Sequence, residues 1–539
     1  MENGMKPTFI LLTGMLASTA MAEMRTVDML PSENWWGVMN FYGTQMPFDV
    51  STDLELDTRK DNNANQSASF LVSDRGRFIW CDEQTLVTIR GGRITMESAD
   101  LPVELDASGK TLRDAYLNAS ARHFPPSGKM PDPLFFSAPQ YNTWIEFTYH
   151  QNERGILAYA QSMLDNGLPP GVLMIDDTWQ FAYGTWEFDP RRFSDPKGMV
   201  AKLHGMGFKV MLWMCPWVSM DSPEFRRIAW GYNPDDVKGW PTKGGFLMDG
   251  DKPAAAPWWN GYSALLDFTH PNANAWFAEQ LDRLVRDYAV DGFKFDGGSI
   301  FHYVRGFTAH DPKATSADQS TAYAMYSLRY PVCEYRNGFR FQCKPGVERL
   351  HDKGHKWSEL AKLVPDMISG GLLGHQFMCP DMVGGGSWTA FLPGAAFDQD
   401  LFVRSAQVHA LCGMMQFSAS PWRTLDRESQ QIIRDLVKMR QEKFAKFFVE
   451  LAKESGRTAE PMIRNLEYNY PGRGYAKIRD EFMMGTTLLV APVVEKDAKS
   501  RKVVLPPGAW LGDDGREYAG PATIEVKTPL ARLPHFVRK

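Results

Sequence analysis

The first hundred or so residues show the pattern of antiparallel β structure. Between residues 24 and 131, short runs of alternating apolar and polar residues (Phe70-Leu-Val, Phe78-Ile-Trp, Leu86-Val-Thr-Ile-Arg) are separated by Gly, Asn, Asp and Ser clusters, and helical periodicity is weak. The pattern predicts an N-terminal β-sandwich over residues 23–132. Within it, residues 53–67 are expected to form a long loop or turn-rich edge, and Trp35 and Trp36 to lie in the core.

From about residue 133 the pattern changes to strands that alternate with helices. The predicted strands are 137–144, 171–175, 209–213, 264–268, a strand at Phe293, 338–342, 376–378 and 411–417. The predicted helices are 153–166, 196–205, 275–288 and 357–370, and a long helical pattern at 426–453 ends the region. Eight strand-helix units close into a barrel, so residues 133–455 are predicted to form a (β/α)8 TIM barrel.

The last part of the chain returns to short strands joined by tight turns. The strand-like runs are 482–494, 502–505, 509–511, 523–526 and 535–538. They predict a small C-terminal β-sandwich over residues 456–539. The predicted fold class is therefore α/β, with the barrel flanked by two β-sandwich domains.

One strand of the predicted barrel carries two charges on the same face. In Asp291-Gly-Phe-Lys-Phe-Asp-Gly-Gly, Lys294 and Asp296 alternate with Phe293 and Phe295, and the strand then ends at Gly297. Charges removed from water are costly unless they are paired or used in chemistry. This segment alone leaves two interpretations open, a structural ion pair or a functional site.

Polar and aromatic residues recur just after the predicted barrel strands. They are Trp144, Asp176, Asp177, Trp213, Trp217, Asp296, Asp381 and Trp422. In a barrel these positions share the C-terminal rim, where the active sites of this fold lie. Trp179, Trp213 and Trp217 can equally serve as core, and Asp177 as a turn or cap residue.

Composition narrows the class of protein. The 539 residues have 44% hydrophobic and 23% charged residues and a net charge of -5, which excludes disordered and fibrous classes and favours neither nucleic acid nor an anionic membrane as partner. Aromatic residues reach 13%, including 17 Trp. Such rings serve as platforms for sugars and also fill large β-rich cores.

The N-terminus has the features of a secretory signal. Lys6 precedes an apolar stretch, and Ala20-Met-Ala22 fits a small-x-small cleavage site, which predicts a signal peptide at residues 1–22 and an exported protein. Since no later segment reaches about 18 uninterrupted apolar residues, membrane insertion is not expected. Six Cys are too few for a disulfide scaffold, and Cys333 with Cys343 is the pair to test for a bridge.

The order and spacing of three aspartates carry a resemblance to glycoside hydrolase family 31. In that family a strand-end Asp is the nucleophile, an Arg lies sixteen residues before the acid/base Asp, and a Trp lies five residues after it. Asp296 ends the charged strand, Arg336 precedes Asp352 by 16 residues, and Trp357 follows Asp352 by 5. Asp381-Met-Val-Gly-Gly looks like the family's later Asp-Ile-Gly-Gly-type motif. The resemblance covers nearly all of the chain after residue 133.

Within the family, the chain resembles the myogenesis-regulating glycosidase branch, which acts on α-galactosides. Lys294 stands where α-glucosidases usually have Trp, and Gly297-Gly-Ser replaces their Met-Asn-Glu run. The substrate contacts that this branch implies are Asp176, Asp177, Trp259, Lys294, Arg336 and Asp381, to which Trp144 and Trp422 are added as rim residues.

The resemblance implies a retaining exo-α-glycosidase that hydrolyses terminal α-linked sugars, most simply α-galactosides, with Asp296 as nucleophile and Asp352 as protonated acid and then base. The alternatives are an α-glucosidase or α-xylosidase of the same family and a non-catalytic glycan-binding protein on the same scaffold. No cofactor or metal is expected, because His351 and His355 beside Asp352 match no zinc spacing and the reaction needs no metal. The sequence carries no signal for an oligomeric state.

Overall fold

A computed structural model describes residues 23–60, 66–230 and 244–539 of the chain. Two four-stranded antiparallel sheets form the N-terminal part. The first contains, in order, Glu23–Asp28, Arg93–Ser98, Leu86–Arg90 and Leu54–Asp57, and the second contains Trp35–Met39, Ser67–Ser73, Phe78–Trp80 and Glu104–Asp106. Trp35 and Trp36 are buried, which confirms the core prediction. Leu54–Asp57 is an edge strand inside the predicted 53–67 loop, because it pairs in register with Leu86–Arg90.

A helix follows the two sheets where the sequence pattern suggested none. Leu112–His123 begins at a capping box, in which the Thr111 side chain accepts from the backbone N–H of Asp114 and the Asp114 carboxylate accepts from that of Thr111. The Thr-x-x-Asp motif was therefore the signal for this helix, although its apolar residues lack a strong helical period.

Eight parallel strands form the barrel. In chain order they are Gln140–Asn142, Val172–Ile175, Lys209–Met214, Gly292–Phe295, Val332–Tyr335, Val347–Arg349, Met378–Cys379 and Gln416–Phe417, called here the first to eighth barrel strands. Each pairs with its neighbour in parallel, and a parallel bridge between Met382 and Gln416 joins the seventh strand's extension to the eighth. The predicted TIM barrel is confirmed.

Helices surround the barrel and short elements cover its rim. The longer helices are Glu153–Asp165, Pro196–Gly205, Pro223–Trp230, Pro271–Tyr288, Ser316–Ala324, Leu363–Leu372, Gln399–Leu411, Arg427–Met439 and Ala445–Thr458, the last two joined by a π-helical turn at Arg440–Phe444. One-turn α-helices lie at Leu134–Ser137, Trp144–Phe147, Ile300–Tyr303, Trp357–Leu360, Pro421–Thr424 and Leu466–Asn469. Turns of 3-10 helix lie at Asn40–Gln45, Met325–Leu328 and Trp388–Phe391. The remaining short strands are Gln180–Ala182, Thr185–Phe188, Trp217–Val218, Met248–Asp249, Lys252–Pro253, Ala255–Trp258 and Gly261–Leu265.

Three predicted barrel strands were wrong or misplaced. The run at 264–268 belongs to a small antiparallel sheet beside the rim, where Gly261–Leu265 pairs with Ala255–Trp258 and Trp217–Val218. Residues 338–342 form the loop between the fifth and sixth strands. Leu411 ends a helix, so the eighth strand begins only at Gln416. In the first two cases the apolar residues are buried by neighbouring elements without joining the barrel.

The C-terminal part is built from antiparallel strands. In order across the sheet they are Ile463–Arg464, Phe482–Met484, Leu488–Val490, His535–Arg538, Ser500–Gly512 and Glu517–Lys527. The runs predicted separately at 502–505 and 509–511 belong to one long strand, whose pairing shifts between Leu505 and Gly508 around two prolines. Trp510 and Phe536 are fully buried in the core of this part.

Two further expectations concern the cysteines and the membrane. Cys333 and Cys343 are both buried free thiols, so the bridge between them does not form. Within the described ranges, none of the helices combines the length and the apolar character that crossing a bilayer requires. The predicted signal peptide at 1–22 lies outside the described residues.

Candidate active site

A cavity of about 290 Å³ opens at the C-terminal ends of the barrel strands. The two carboxylates Asp296 and Asp352 line it, although they come from different strands. Six of the predicted substrate contacts line it too, namely Trp144, Asp176, Asp177, Trp259, Lys294 and Arg336. The barrel thus brings together eight of the ten residues singled out in the sequence.

Asp296 follows the fourth barrel strand and is held on several sides. Trp213 Nε1 donates to its Oδ2 at 2.8 Å, and Gly297 N donates to its Oδ1 at 2.9 Å. Arg336 Nη1 lies 3.3 Å from Oδ1, and Lys294 Nζ lies 4.0 Å from Oδ2. Burial raises the pKa of this carboxyl, but the charges of Arg336 and Lys294 and the Trp213 hydrogen bond outweigh burial and lower the pKa below its usual value. Asp296 is therefore ionised.

Lys294 and Asp176 form a buried ion pair at the inner end of the cavity. Lys294 Nζ donates to Asp176 Oδ2 at 3.2 Å, and both side chains are about 95% buried. Burial lowers the pKa of Lys294, but the charges of Asp176 and Asp296 more than compensate and raise it. Lys294 therefore stays charged and interacts electrostatically with both Asp176 and Asp296.

Asp177 has a different environment from its neighbour Asp176. Its carboxylate accepts from Asn260 Nδ2 at 2.9 Å and from the Tyr183 hydroxyl at 3.1 Å, both neutral donors. Burial and the adjacent charge of Asp176 raise the pKa of Asp177 to about 7. The alternative in which Asp177 is only a turn residue does not fit a side chain that lines the cavity.

Asp352 lies after the sixth barrel strand and faces two arginines. Arg349 Nη1 donates to its Oδ1 at 2.7 Å, and Arg336 Nη1 lies 3.6 Å from the same oxygen. Since Arg336 Nη1 is also 3.3 Å from Asp296 Oδ1, the two carboxylate oxygens can be no farther apart than these two distances together. This bound on one pair of oxygens is consistent with the separation of about 5–5.5 Å between the carboxyl groups of retaining glycosidases.

The protonation of Asp352 in the unliganded protein differs from the expectation. The surrounding protein raises the pKa of this half-exposed carboxyl, but the charges of Arg336, Arg349 and Lys294 outweigh that effect and hold the pKa well below the usual range. Asp352 is ionised in this state, whereas an acid catalyst must carry a proton when the bond breaks.

Two predicted contacts lie away from the cavity. Asp381 is completely buried behind Arg349, and it accepts from the backbone N–H of Lys353 at 2.6 Å and of Gly386 at 3.1 Å. Trp422 lies on the short helix after the eighth strand and packs against the hydrophobic core. The expectation that Asp381 contacts substrate is corrected, because its carboxylate is completely buried against Arg349 and two backbone N–H groups. Trp422 is half-buried and is not among the residues that line the cavity.

Aromatic residues form the walls of the cavity. Trp259 is 51% exposed, and its ring lies 5.3 Å from that of Trp217 at a steep angle. Trp144 donates from Nε1 to the backbone carbonyl of Gly386 at 3.2 Å, which holds its ring at the rim. Trp179, by contrast, is completely buried and belongs to the core.

Several residues of the site cannot be assigned from the sequence. The sequence fits Trp213 equally to the core and to a sugar platform, whereas in the structure its indole N–H donates to Asp296. Its position at the end of a predicted strand is the available signal. Arg349 was not singled out, because nothing in its local pattern indicates a partner on the next strand. His302 also lines the cavity, and burial lowers its pKa to about 3, so it is neutral.

The histidines beside Asp352 have other partners. His355 Nδ1 faces the Gly384 carbonyl at 2.8 Å and its Nε2 accepts from the backbone N–H of Asp398 at 3.0 Å. Lys353 Nζ lies 3.1 Å from His351 Nδ1. Across residues 23–60, 66–230 and 244–539, His, Cys, Asp and Glu do not gather into a group of three that could hold a metal ion.

Two residues that adjoin strands of the N-terminal part support the site from behind. Gln66 Nε2 donates to the backbone carbonyl of Arg336 at 2.6 Å, and Gln66 Oε1 accepts from the backbone N–H of Gly338 at 3.0 Å. Asn40 Nδ2 donates to Glu348 Oε1 at 3.0 Å on the sixth strand. The loop that carries Arg336 is thus fixed by a side chain from another part of the chain.

Similar proteins share both this barrel and its C-terminal sheet. Residues 139–443 match the model of the glycosyl hydrolases family 31 TIM-barrel domain, and residues 459–539 match the family's C-terminal domain. Mouse myogenesis-regulating glycosidase is 33% identical over 76% of this chain and 56% of its own length, and α-xylosidase XylQ of Lactiplantibacillus pentosus is 24% identical over 86% and 61%. The chain thus spans about six tenths of these relatives.

A solved structure shows the same fold over almost the whole chain. The family 31 dextranase of Flavobacterium johnsoniae, complexed with glucose, superposes with a TM-score of 0.80 at 20% identity, over 96% of this chain and 66% of the dextranase. The likeness at this identity concerns the fold. With two family models that together match most of its residues, the chain belongs to glycoside hydrolase family 31.

Proposed function

We propose that the protein is a retaining, exo-acting α-glycosidase that removes terminal α-linked sugars, with α-galactosides as its substrates. One observation carries the proposal: a single nitrogen of Arg336 lies within 3.6 Å of both Asp296 and Asp352. Two carboxyl groups that close, at the rim of a barrel, suit attack on one sugar ring from one side and proton donation on the other.

In the first step, an Asp296 oxygen forms a bond to the anomeric carbon while the bond from that carbon to the glycosidic oxygen breaks. The electron pair of the broken bond stays on the glycosidic oxygen, which takes the proton of Asp352. In the second step, the Asp352 carboxylate takes a proton from water, and the water oxygen replaces Asp296 at the anomeric carbon. Both carboxyls return to their starting states.

Substrate binding would supply the protonated form of Asp352. A sugar hydroxyl that accepts from Arg336 draws this guanidinium away from the carboxylate. The aglycone also covers an Asp352 side chain that is 45% exposed in the unliganded protein. Since both changes disfavour the ionised form, they raise the pKa of Asp352 towards the value that an acid catalyst needs.

The shape and charge of the cavity support an exo-acting enzyme for a single terminal sugar. Its volume of about 290 Å³ lies at the lower end for small-molecule sites, about 300–1,000 Å³. Lys294 and Asp176 line its inner end and offer a donor and an acceptor to sugar hydroxyls, and Asp177 adds a second acceptor. The likeness to myogenesis-regulating glycosidase and the Lys-Phe-Asp form of the nucleophile strand favour galactose.

Two other functions are kept as alternatives. The likeness to α-xylosidase XylQ favours an α-xylosidase, or an α-glucosidase of the same family. A non-catalytic glycan-binding protein would need neither an ionised carboxylate nor a second one within reach of the same sugar, so the geometry favours an enzyme over this alternative.

A panel of 4-nitrophenyl α-glycosides tests the proposal. The galactoside, glucoside and xyloside differ only at C4 and C5, and we expect the highest kcat/KM for the galactoside and product of retained configuration by NMR. The Asp296→Ala variant should lose at least about 10⁴-fold in kcat, as expected for removal of a nucleophile. Preference for the glucoside or the xyloside would replace galactose as the proposed sugar. Absence of turnover with intact sugar binding would favour the glycan-binding alternative.

A further inference from the structure

Arg349 is a buried cation beside the cavity, not in its wall. It ends the sixth barrel strand and its side chain is completely buried. A guanidinium in the interior is costly unless its N–H groups find acceptors. Nη1 donates to Asp352 Oδ1 at 2.7 Å and to the Leu350 carbonyl at 3.0 Å, Nη2 donates to Asp381, and Nε lies 3.4 Å from Gln416 Oε1.

Asp381 anchors Arg349 from the seventh strand. Its carboxylate accepts from two backbone N–H groups, those of Lys353 and Gly386, which cannot rotate away. Its φ of 142° is rarely adopted by a residue with a side chain, so the surrounding packing holds it in place. The carboxylate that receives Arg349 is therefore rigid.

The two arginines divide the Asp352 carboxylate into two unlike oxygens. Both ion pairs that Asp352 makes with described residues fall on Oδ1, while the side chain remains 45% exposed. Gly386 also lies against Asp352, since a Cβ at that position would come within 3.0 Å of its carboxyl carbon and Oδ1. Oδ2 is left to carry the proton.

We propose that Arg349, anchored by Asp381, is a positioning residue that fixes Oδ1 of Asp352 and directs Oδ2 towards the glycosidic oxygen. This inference rests on the acid/base role of Asp352 proposed above. Arg336 has a different part, because it faces both carboxylates from the cavity and is the cation that substrate can draw away. Arg349 is out of reach of substrate and keeps its hold on Asp352 through the reaction.

Charge and geometry can be separated by two substitutions. Arg349→Met removes both the charge and the hydrogen bond, whereas Arg349→Lys keeps a charge but cannot bond Asp352 and Asp381 in one plane. Besides Arg349, the groups that interact electrostatically with Asp352 are Arg336, Lys294, Asp296, Asp381 and His351, and all are retained in both variants.

The first measurement does not depend on turnover. The pKa of Asp352 is followed by ¹³C NMR of labelled aspartate carboxyls, assigned with Asp352→Asn. We expect the pKa to rise in Arg349→Met and to remain lower in Arg349→Lys, because a nearby cation favours the carboxylate. An unchanged pKa in Arg349→Met would overturn the contact even if the protein hydrolysed no glycoside, which keeps this result distinct from failure of the proposed function.

The second measurement compares leaving groups. For an alkyl α-galactoside or a disaccharide, which needs acid assistance, kcat/KM should fall about 10–100-fold in both Arg349 variants. For an activated dinitrophenyl galactoside, which does not, it should fall less than about 3-fold. Equal losses on both substrates would assign Arg349 a merely structural role and overturn the proposal.

If Arg349→Met does not fold, Asp381→Asn takes its place, because it leaves the arginine but weakens its anchor. We expect kcat/KM of Asp381→Asn to fall more for the alkyl galactoside than for the dinitrophenyl galactoside, by a smaller factor than in the Arg349 variants. Equal losses on the two substrates would likewise overturn the proposal.

Discussion

Adjacent carboxylates at the end of the second barrel strand meet different partners. Asp176 pairs with Lys294, whereas the hydrogen bonds of Asp177 come from the neutral groups of Gln180, Tyr183 and Asn260. The same buried surroundings therefore tolerate one charge and resist the next. At neutral pH Asp177 is divided between its two protonation states, since its pKa is about 7.

This environment predicts a pH-dependent cost to stability. Unfolded Asp ionises near pH 3.8 and folded Asp177 near pH 7, so the folded state is favoured below pH 3.8 and loses this stabilisation as pH rises to 7. A shift of this size corresponds to at most about 4 kcal/mol. Asp177→Asn should remove this pH dependence. The melting temperature of the variant minus that of the wild type should therefore increase between pH 5 and pH 8.

Asp165→Asn, at an exposed helix position, is the control for the substitution itself. Thermal unfolding of the three proteins at each pH gives the comparison. A constant difference between Asp177→Asn and the wild type across this range would show that Asp177 is ionised throughout.

At the scale of elements, the turn after the fourth strand depends on two glycines. Gly297 and Gly298 both have φ near 69°, where other residues are strained. A Cβ on Gly298 would lie 2.4 Å from the ring of Tyr323, whose hydroxyl donates to the backbone carbonyls of Met214 and Asp296. Tyr323, which packs against this turn, thus joins the end of the third strand to the end of the fourth strand beside Asp296.

Gly298→Ala should therefore reduce both stability and activity. The left-handed backbone costs about 1–2 kcal/mol and the collision with Tyr323 about 1–3 kcal/mol more. Moving Tyr323 also releases the Asp296 carbonyl, so kcat on an aryl galactoside should fall at least about 10-fold, measured beside the melting temperature.

Gly306→Ala is the matched control, because Gly306 has φ of 74° and a Cβ there meets no atom within 4 Å. It carries the backbone cost without the collision. If Gly306→Ala lost as much stability and activity as Gly298→Ala, contact with Tyr323 would not be the cause.

At the scale of the whole molecule, the N-terminal part of the chain supports the site. Gln66 is completely buried and bonds both the Arg336 carbonyl and the Gly338 N–H. Arg336 is the residue that bridges the two carboxylates, so a contact between separate parts of the chain determines where its loop lies.

Gln66→Ala should loosen this loop. Loss of two buried hydrogen bonds costs about 1–3 kcal/mol of stability. Because the displaced loop carries Arg336, we also expect kcat/KM to fall about 3–30-fold. Gln84→Ala is the control, because Gln84 joins Thr58 to Ser316 between the same parts of the chain and its two hydrogen bonds are not to the loop of Arg336. Equal effects of the two substitutions on kcat/KM would mean that the contact stabilises the protein without positioning Arg336.

Much of the site followed from local pattern and spacing. Alternation placed Lys294 and Asp296 on one face of a strand, because side chains of a strand alternate whatever lies around them. The interval from Arg336 to Asp352 and the strand-helix rhythm likewise need no knowledge of distant contacts. The barrel and its rim could therefore be predicted from the sequence, whereas the pairing of Asp296 with Asp352 followed from the resemblance to the family's spacing.

The neighbours of these residues depend on how the strands are arranged in the fold. The sequence predicts that Asp381 follows a strand, but close packing of the sixth and seventh strands buries it behind Arg349, where it anchors the arginine and does not reach the cavity. The positions of Trp422, outside the cavity, and of Trp213, within reach of Asp296, also depend on which elements are adjacent in the fold. Local periodicity specifies the face on which a side chain lies, whereas its partner depends on which strands are adjacent, and residues far apart in the chain determine that adjacency.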